Sequence, residues 1–474
     1  MSTCEFAQAQ ENRNDPSHKV IIIDDKIYDV TEFHREHPGG AKVLLTHIGK
    51  DASDVFHAMH PESAYEILAN YYLGDLGEAD SLTKAKTSDK KAFAEDIRQL
   101  RDKLTDLGYF RSNRLYYLYK FISTLSICMA SLLILYLYGQ QSTTAIIISA
   151  FLLGLFWQQC GWLSHDFGHH QVFDNRPLND IAVIFLGNFC QGFSLSWWKS
   201  KHNTHHASTN VDGHDPDIST GPVLMWHEYA SANYYGNLAH STNNNCDAHC
   251  CNATSTSAAN NKNGFREGFN RFLAENVFPY QTRYYFFVIA LARMSWAIQS
   301  ANHVAKVGAL NKSSSLRLYE MGCLAAHWAL FLAVTTRWID SLQNMILFVV
   351  LSQSFTGYML AMVFALNHNG MPVITKEQAE SMEFFEIQVV TSRNVKMGWL
   401  GTWFMGGLNY QIDHHVFPTL PRHHLATVQP MIEAICNKHQ VIYHTTSFLQ
   451  GTLEALNALD ITQKVSRKLV MKYF

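Results

Sequence analysis

His165-Asp-Phe-Gly-His169-His170 closes the apolar run 143–163, and two companions repeat its pattern: His202-Asn-Thr-His205-His206 and Gln411-Ile-Asp-His414-His415. Imidazole is the commonest metal-binding side chain, because its neutral form offers a nitrogen lone pair near physiological pH. Residues three and four apart share one helical face, so each cluster aims two or three imidazoles at one point. About eight such groups exceed the four ligands that a single zinc takes. They suit a pair of redox metals, with iron first for nitrogen-rich sites that leave room for oxygen.

Outward from the clusters the chain turns apolar. Residues 115–138 and 143–163 are each long enough to cross a hydrocarbon core of roughly 30 Å, and Lys120 is the one charge within them. Two further spans are expected at 322–334 with its flanks and at 345–366, about four in all. Residues 284–298 are apolar but hold Arg293, which predicts an interfacial or partly inserted segment. Arg101, Lys103, Arg111, Arg114 and Lys120 precede or open the first span, which puts that side in the cytosol. Two hairpins of spans then return every histidine cluster to the side where the chain entered. A random scatter of histidines would not do so.

The charge is divided. Residues 1–80 carry fifteen Asp and Glu against six Lys and Arg, and the remainder carries 31 basic against 25 acidic. An acidic module joined to a mildly basic, aromatic-rich body suits a soluble electron carrier attached to a membrane protein. No long basic stripe or reading module points to nucleic acid. The polar tail 1–17 lacks an apolar signal core, so the first domain is expected in the cytosol. Cys128, Cys160, Cys190 and Cys323 lie in apolar stretches as ordinary buried thiols. Residues 241–263 read as a low-complexity loop insert. A metal reading of Cys246, His249, Cys250 and Cys251 there is set aside, and the Asn252-Ala-Thr254 sequon is expected to be cytosolic and unmodified.

Residues 18–80 read as a compact α+β module. Short β-prone runs, 20–23 and 27–30, flank Asp24-Asp25-Lys26. Glu36-His37-Pro38-Gly39-Gly40 makes a tight bend that lets something large and flat approach the backbone. His60 follows in Ala-Met-His60-Pro61. This pair, with Tyr28-Asp29-Val30 before it, resembles the cytochrome b5 domain. The resemblance implies haem b held by His37 and His60, with His57 a rival for the second position. Residues 81–112 are charged and helix-prone, which predicts a solvated linker helix. A membrane domain over 113–445 and a cytosolic tail over 446–474 complete the expected order.

A b5-like module ahead of two membrane hairpins, with His-x-x-x-His, His-x-x-His-His and Gln-x-x-His-His, resembles the front-end fatty acid desaturases. Asn175-Arg-Pro-Leu-Asn-Asp180, Gly192-Phe-Ser, Trp197-Trp198, Gly406-Gly-Leu-Asn-Tyr-Gln411 and Phe417-Pro-Thr-Leu-Pro-Arg422 match as well, in the manner of animal delta-5 and delta-6 enzymes. The resemblance implies a small α+β haem domain followed by an all-α membrane domain of about four spans with a cytosolic helical cap. It implies two irons and O₂, with ligands His165, His169, His202, His205, His206, His368, His414 and His415. Gln411 joins them as a weak ligand or an outer donor, and no catalytic residue beyond the metal ligands is expected. It also implies cytochrome b5 reductase as partner, an acyl-CoA or phospholipid-linked polyunsaturated chain as substrate, and the endoplasmic reticulum membrane. The third cluster departs from the pattern, with Asp413 where glutamate is usual.

The chemistry agrees. Removing hydrogen from an unactivated methylene exceeds any amino acid and calls for a metal–oxygen unit. A haem on the same chain raises the effective concentration of its electrons. Asp166 is expected either to orient an imidazole or to cap a surface helix. His170, His214, His227, His327, His423 and His424 are expected to be ordinary polar or packing residues. Competing readings are a sphingoid-base desaturase or hydroxylase on the same scaffold, or a membrane-anchored haem carrier with structural zinc. A metal transporter would hold its ligands near the midplane, whereas these gather at span ends.

Overall fold

The computed structural model describes residues 18–76, 88–248, 268–308, 310 and 313–474, without the side chains of 88–90 and 240–248. The first domain is α+β. Strands β1 (Val20–Ile23), β2 (Lys26–Asp29) and β3 (Tyr72–Asp75) form an antiparallel sheet in that order. Asp24 and Asp25 make the hairpin turn with positive φ, a conformation that Asp tolerates better than most residues. Helices α1 (Ala41–Leu45), α2 (Ser53–Met59) and α3 (Ala64–Leu68) pack Val43, Val55 and Leu68 against Ile21, Ile23 and Val30.

Helix α4 (Ser88–Asp106) corrects the solvated linker. Phe93, Ile97, Leu100 and Leu104 recur at three- and four-residue steps and are buried against Phe385, Ile412, Val416 and Val428. The charges on its other faces disguise this stripe, which is wide enough to seat a helix on a core.

Among the described residues, four helices are long and apolar enough to cross a membrane. They are α5 (Arg114–Tyr138), α6 (Thr143–Gly168), and, further on, Ser314–Trp338 and Leu342–His368. Asn113, Ser142, Ser313 and Ser341 cap their N-termini through the side chain. In the first hairpin the Ser131 hydroxyl donates to Ser149 O (2.8 Å) and the Ser149 hydroxyl returns to Ser131 O (2.9 Å). Such reciprocal bonds satisfy both hydroxyls where no water reaches.

Between the hairpins runs a bent pair that the sequence did not suggest. Helix α7 (Arg176–Val183) continues as a π-helical segment to Gln191, and α8 (Leu195–Ala207) leaves at 109°. Gly192, at φ +89°, makes the turn. A side chain there would meet the His327 ring at 2.7 Å.

Helices α9 (Glu228–Ala248), α10 (Gln281–Ala290) and α11 (Ala292–Lys306) follow, then the spans α12 (Ser314–Trp338) and α13 (Leu342–His368). The expected insert at 241–263 begins inside α9, because propagating an established helix costs little; the remainder, from His249 with the Asn252 sequon, lies outside the described residues. Within 284–298, expected to be interfacial or partly inserted, Arg293 turns inward. It is 3% exposed, stacks 3.6 Å over the Trp157 ring and donates to Gln191 O (2.7 Å) and Gln353. Internal acceptors bind both terminal nitrogens of its guanidinium.

Beyond α13 lie α14 (Phe384–Val390), α15 (Gln411–Val416), α16 (Leu425–Lys438) and α17 (Phe448–Tyr473). Helix α17 corrects the expected tail. It packs on α9, α10 and α13, and a parallel pair of strands, β4 (Asn394–Lys396) and β5 (Thr445–Ser447), leads into it. Arg393, fully buried, donates to Leu366 O (2.6 Å) and pairs with Glu454 (2.9 Å), fastening α17 to the end of α13.

Leu104→Ala should destabilise the chain by about 2–5 kcal/mol, the usual cost of emptying a buried leucine site. The thermal midpoint of the detergent-solubilised protein measures this. A solvated linker would show no change.

Candidate metal centre and haem cleft

The first cluster and His368 end spans: His165 lies in the last turn of α6 and His169 caps it, and His368 is the last residue of α13. Helix α8 supplies His202, His205 and His206, and the short α15 supplies Gln411, His414 and His415. None of the nine is more than 6% exposed. They sort into two groups whose ligand atoms lie within 4.8 Å of one another: His165, His169, His202, His206 and His414, and beside them His205, His368 and His415. His206 and His415 stack at 4.2 Å where the groups meet.

The Nε2 atoms face inward and crowd. His202 lies 2.9 Å from His169 and 3.1 Å from His206, which lies 3.2 Å from His414; His205 lies 3.3 Å from His368. Neutral imidazole has one N–H for two nitrogens, so a web of Nε2 atoms leaves lone pairs facing lone pairs. His165 Nε2 and His415 Nε2 are buried with no hydrogen-bond partner at all. Desolvated lone pairs held this way fit a cation. Gln411 stands at the edge of the smaller group, its amide nitrogen 2.9 Å from His368 Nε2 and its oxygen accepting from Asn367 (2.9 Å).

Outer partners set the smaller group's tautomers. His205 Nδ1 donates to Asp215 (2.9 Å), His368 Nδ1 to Thr391 O (3.2 Å) and His415 Nδ1 to Gln388 (2.9 Å). Each donation leaves Nε2 as the free lone pair, as in metal-ligating histidines generally. Trp198 stacks on His202 at 4.5 Å and fills the space over Gly168, where a Cβ would come within 2.2 Å of its ring. Asp215 and Gln388 escaped the sequence reading, which gave Trp198 no role; Asp215-Pro-Asp217, just after the second cluster, was the available signal for Asp215.

Asp166 does neither thing expected of it. It is 2% exposed, stands 3.7 Å from His165 Nδ1, too far to take its proton, and is paired with Arg422. Arg422 also donates to Trp162 O (3.0 Å), and Trp162 donates to Phe404 O (2.8 Å). These bonds dock the third cluster's loop on α6. Gly406, at φ +63°, permits the approach, since a Cβ there would reach Trp162 Cγ at 2.3 Å. Asp413 faces away from the imidazoles, accepting from Asn394 (2.8 Å) and Tyr443 (2.7 Å), and burial pushes it up to about 7. His170 bonds Asp180 (3.3 Å) outside both groups.

In the first domain, His37 and His60 face each other across a cleft with ring centroids 5.9 Å apart. His37 Nδ1 donates to Gly40 O and His60 Nδ1 to Phe56 O, both at 3.1 Å. Both Nε2 lone pairs are therefore free for a metal. Burial pushes His60 down to about 3 and lowers His37 as well, which keeps both neutral. Gly39 has no room for a Cβ, which would stand 2.7 Å from the His37 ring. His57 instead bonds Asp24 (2.8 Å) on the outside. The histidine pair and its apolar walls fit a haem.

A second cavity, of about 520 Å³, is lined by His165, His202 and His368 together with Trp197, Leu360 and Phe364. It joins an apolar chamber to the metal groups.

Asp215→Ala should weaken metal retention about 10–100-fold, the usual loss when a ligand histidine's outer partner is removed. Metal content after graded chelator treatment measures it; unchanged retention would deny Asp215 that role.

Residues 142–447 match the fatty acid desaturase family, and residues 5–77 match the cytochrome b5-like haem/steroid binding domain. The chain is 33% identical to an acyl-lipid (9-3)-desaturase of Physcomitrium patens over 94% of its own length and 76% of that protein's. A delta(6)-fatty-acid desaturase of Caenorhabditis elegans (fat-3) is 32% identical over 90% of this chain and 91% of its own. A delta(8)-fatty-acid desaturase of Euglena gracilis is 30% identical, with coverage of 94% and 95%. The chain belongs to the fatty acid desaturase family, as a membrane-bound front-end member with a fused haem-binding cytochrome b5 domain, a di-iron centre and O₂ as oxidant.

Proposed function

We propose that this front-end desaturase inserts a cis double bond at the delta-6 position, between the carboxyl end and an existing double bond of a polyunsaturated acyl chain. The observation that carries the reading is the apolar cavity lined by His165, His202 and His368. An extended acyl chain inside it passes the metal groups, and its depth of insertion selects the carbon pair. The delta(6) relative supports the position; the delta(8) enzyme of Euglena gracilis and a delta(5) fatty acid desaturase of Caenorhabditis elegans (fat-4), 29% identical over 92% of this chain, are competing cases.

The eight histidines would hold the two irons, with Gln411 an outer neighbour of His368 at the edge of the smaller group, and His37 and His60 would hold the haem. With O₂ and electrons, the bound irons supply an oxidant able to take two hydrogens from neighbouring methylenes. The balance is one O₂, two electrons and two protons in, two waters out. Leu360 and Phe364 hold the chain, while Asp215, Gln388 and the Thr391 carbonyl keep the imidazoles oriented. Cytochrome b5 reductase is the electron donor, and coenzyme A or a phospholipid is the acyl carrier. The basic residues before α5 support a cytosolic metal centre, in the endoplasmic reticulum membrane.

Yeast expressing the protein and fed single unsaturated acids should yield a new delta-6 bond, located by mass spectrometry. A delta-5 or delta-8 product would overturn the position, and no product from haem-loaded protein would overturn the reading. His205→Ala and His415→Ala should each abolish product with the haem spectrum unchanged. His37→Ala should lose the haem spectrum, and its residual product should depend on separate cytochrome b5.

A further inference from the structure

The haem cleft does not end with the first domain. It forms one wall of a cavity of about 430 Å³ whose other wall belongs to the membrane domain, including His169, Arg176, Lys199 and Asn203. The seam is closed by direct bonds. Arg176 donates to Met59 O (2.8 Å), Asn203 donates to Gly39 O (3.1 Å), and a Cβ at Gly40 would stand 3.1 Å from Ser200 Cα. From α4, Arg98 grips Asp54 with two bonds, of 2.7 and 3.0 Å.

Charge distinguishes the two walls. Among the described residues, the first domain lines the cavity with apolar residues, histidines, Ser63 and Tyr71, without a lysine or arginine. The membrane domain contributes Arg176 and Lys199, with Asp180 as the one acid, 2.5 Å from Lys199 Nζ. Lys199 is 3% exposed. Burying an ammonium this deeply is costly unless anions compensate it, and Asp180 leaves the wall with one positive charge in surplus.

Haem is a flat apolar ring with two carboxylates on one edge. We infer that the membrane domain completes the haem site: Arg176 and Lys199 receive the propionate edge, and the haem is clamped between the domains beside the corner that carries His169. This rests on His37 and His60 holding the haem. Arg176 and Lys199 act as positioning residues, and charge beside a haem is one of the protein's means of setting its potential.

The test is a redox titration of the full-length, haem-loaded protein in detergent at low salt, followed by its haem absorption. Removing a cation near the ring favours the ferric state, so Arg176→Gln should lower the midpoint potential and speed haem loss to apomyoglobin several-fold, with the absorption bands kept. Asp180→Asn should shift the potential upward, a sign that general loosening would not produce. Arg176→Lys should restore most of the wild-type value. Arg35→Gln, an exposed first-domain residue outside the cavity, should move neither quantity. If Arg176→Gln and Asp180→Asn both keep the wild-type potential and haem-loss rate, or if Arg35→Gln shifts them equally, the inference is wrong. Loss of the haem bands in His37→Ala is the separate check on the axial pair.

Discussion

Buried imidazoles whose neighbouring Nε2 atoms stand 2.9–3.3 Å apart repel one another through their lone pairs unless positive charge stands among them. This constraint governs the molecule. Protons satisfy it at most at His205, where, against burial, Asp215 and Asp217 favour the charged form; elsewhere burial makes charged imidazole costly and neutral imidazole has too few N–H groups. The cluster is a cation site that the polypeptide must hold together before the cation contributes, so much of the membrane domain is framework for it.

That framework works from outside inward. Asp215, Gln388 and the Thr391 carbonyl each take an Nδ1 proton and aim the opposite nitrogen inward. The Asp166–Arg422 pair, buried at the end of α6, joins segments 256 residues apart. Removing one partner of such a pair costs about 3–5 kcal/mol, since the other is left charged and unpaired. Glycines admit the close approaches: Gly406 lets the third loop lie against Trp162, and Gly168 makes room for Trp198. The bend at Gly192 turns α8 across the span ends, placing three histidines over the two that close α6.

The same arrangement joins three features at one corner. His169 belongs to the larger metal group and also lines the haem cavity, while His165, His202 and His368 line the apolar chamber. The haem cleft, the histidine groups and the apolar cavity are therefore neighbours through single side chains. The linker helix and the C-terminal helix brace this corner; neither is peripheral. Helix α4 seats on the helices that carry and support the third cluster, and α17 is fastened to the end of α13 through Arg393 and Glu454.

The sequence alone determined whatever is encoded by local spacing. Helical periodicity within each cluster, spans bounded by polar caps, and the His-Pro-Gly-Gly bend are short-range patterns, and parity of the spans brought the clusters to one end. Sequence spacing carried no information about contacts between distant segments. It left His37 open to His57 or His60 and misread α4, whose stripe shows its purpose only against Phe385 and Ile412. It also missed the α7–α8 bend and assigned Asp166 to the wrong partner. Only the tertiary structure divided the imidazoles into five and three and set Arg176 and Lys199 against the haem cleft. Those outcomes depend on which buried charges and lone pairs find each other across the fold, and chain order does not express that.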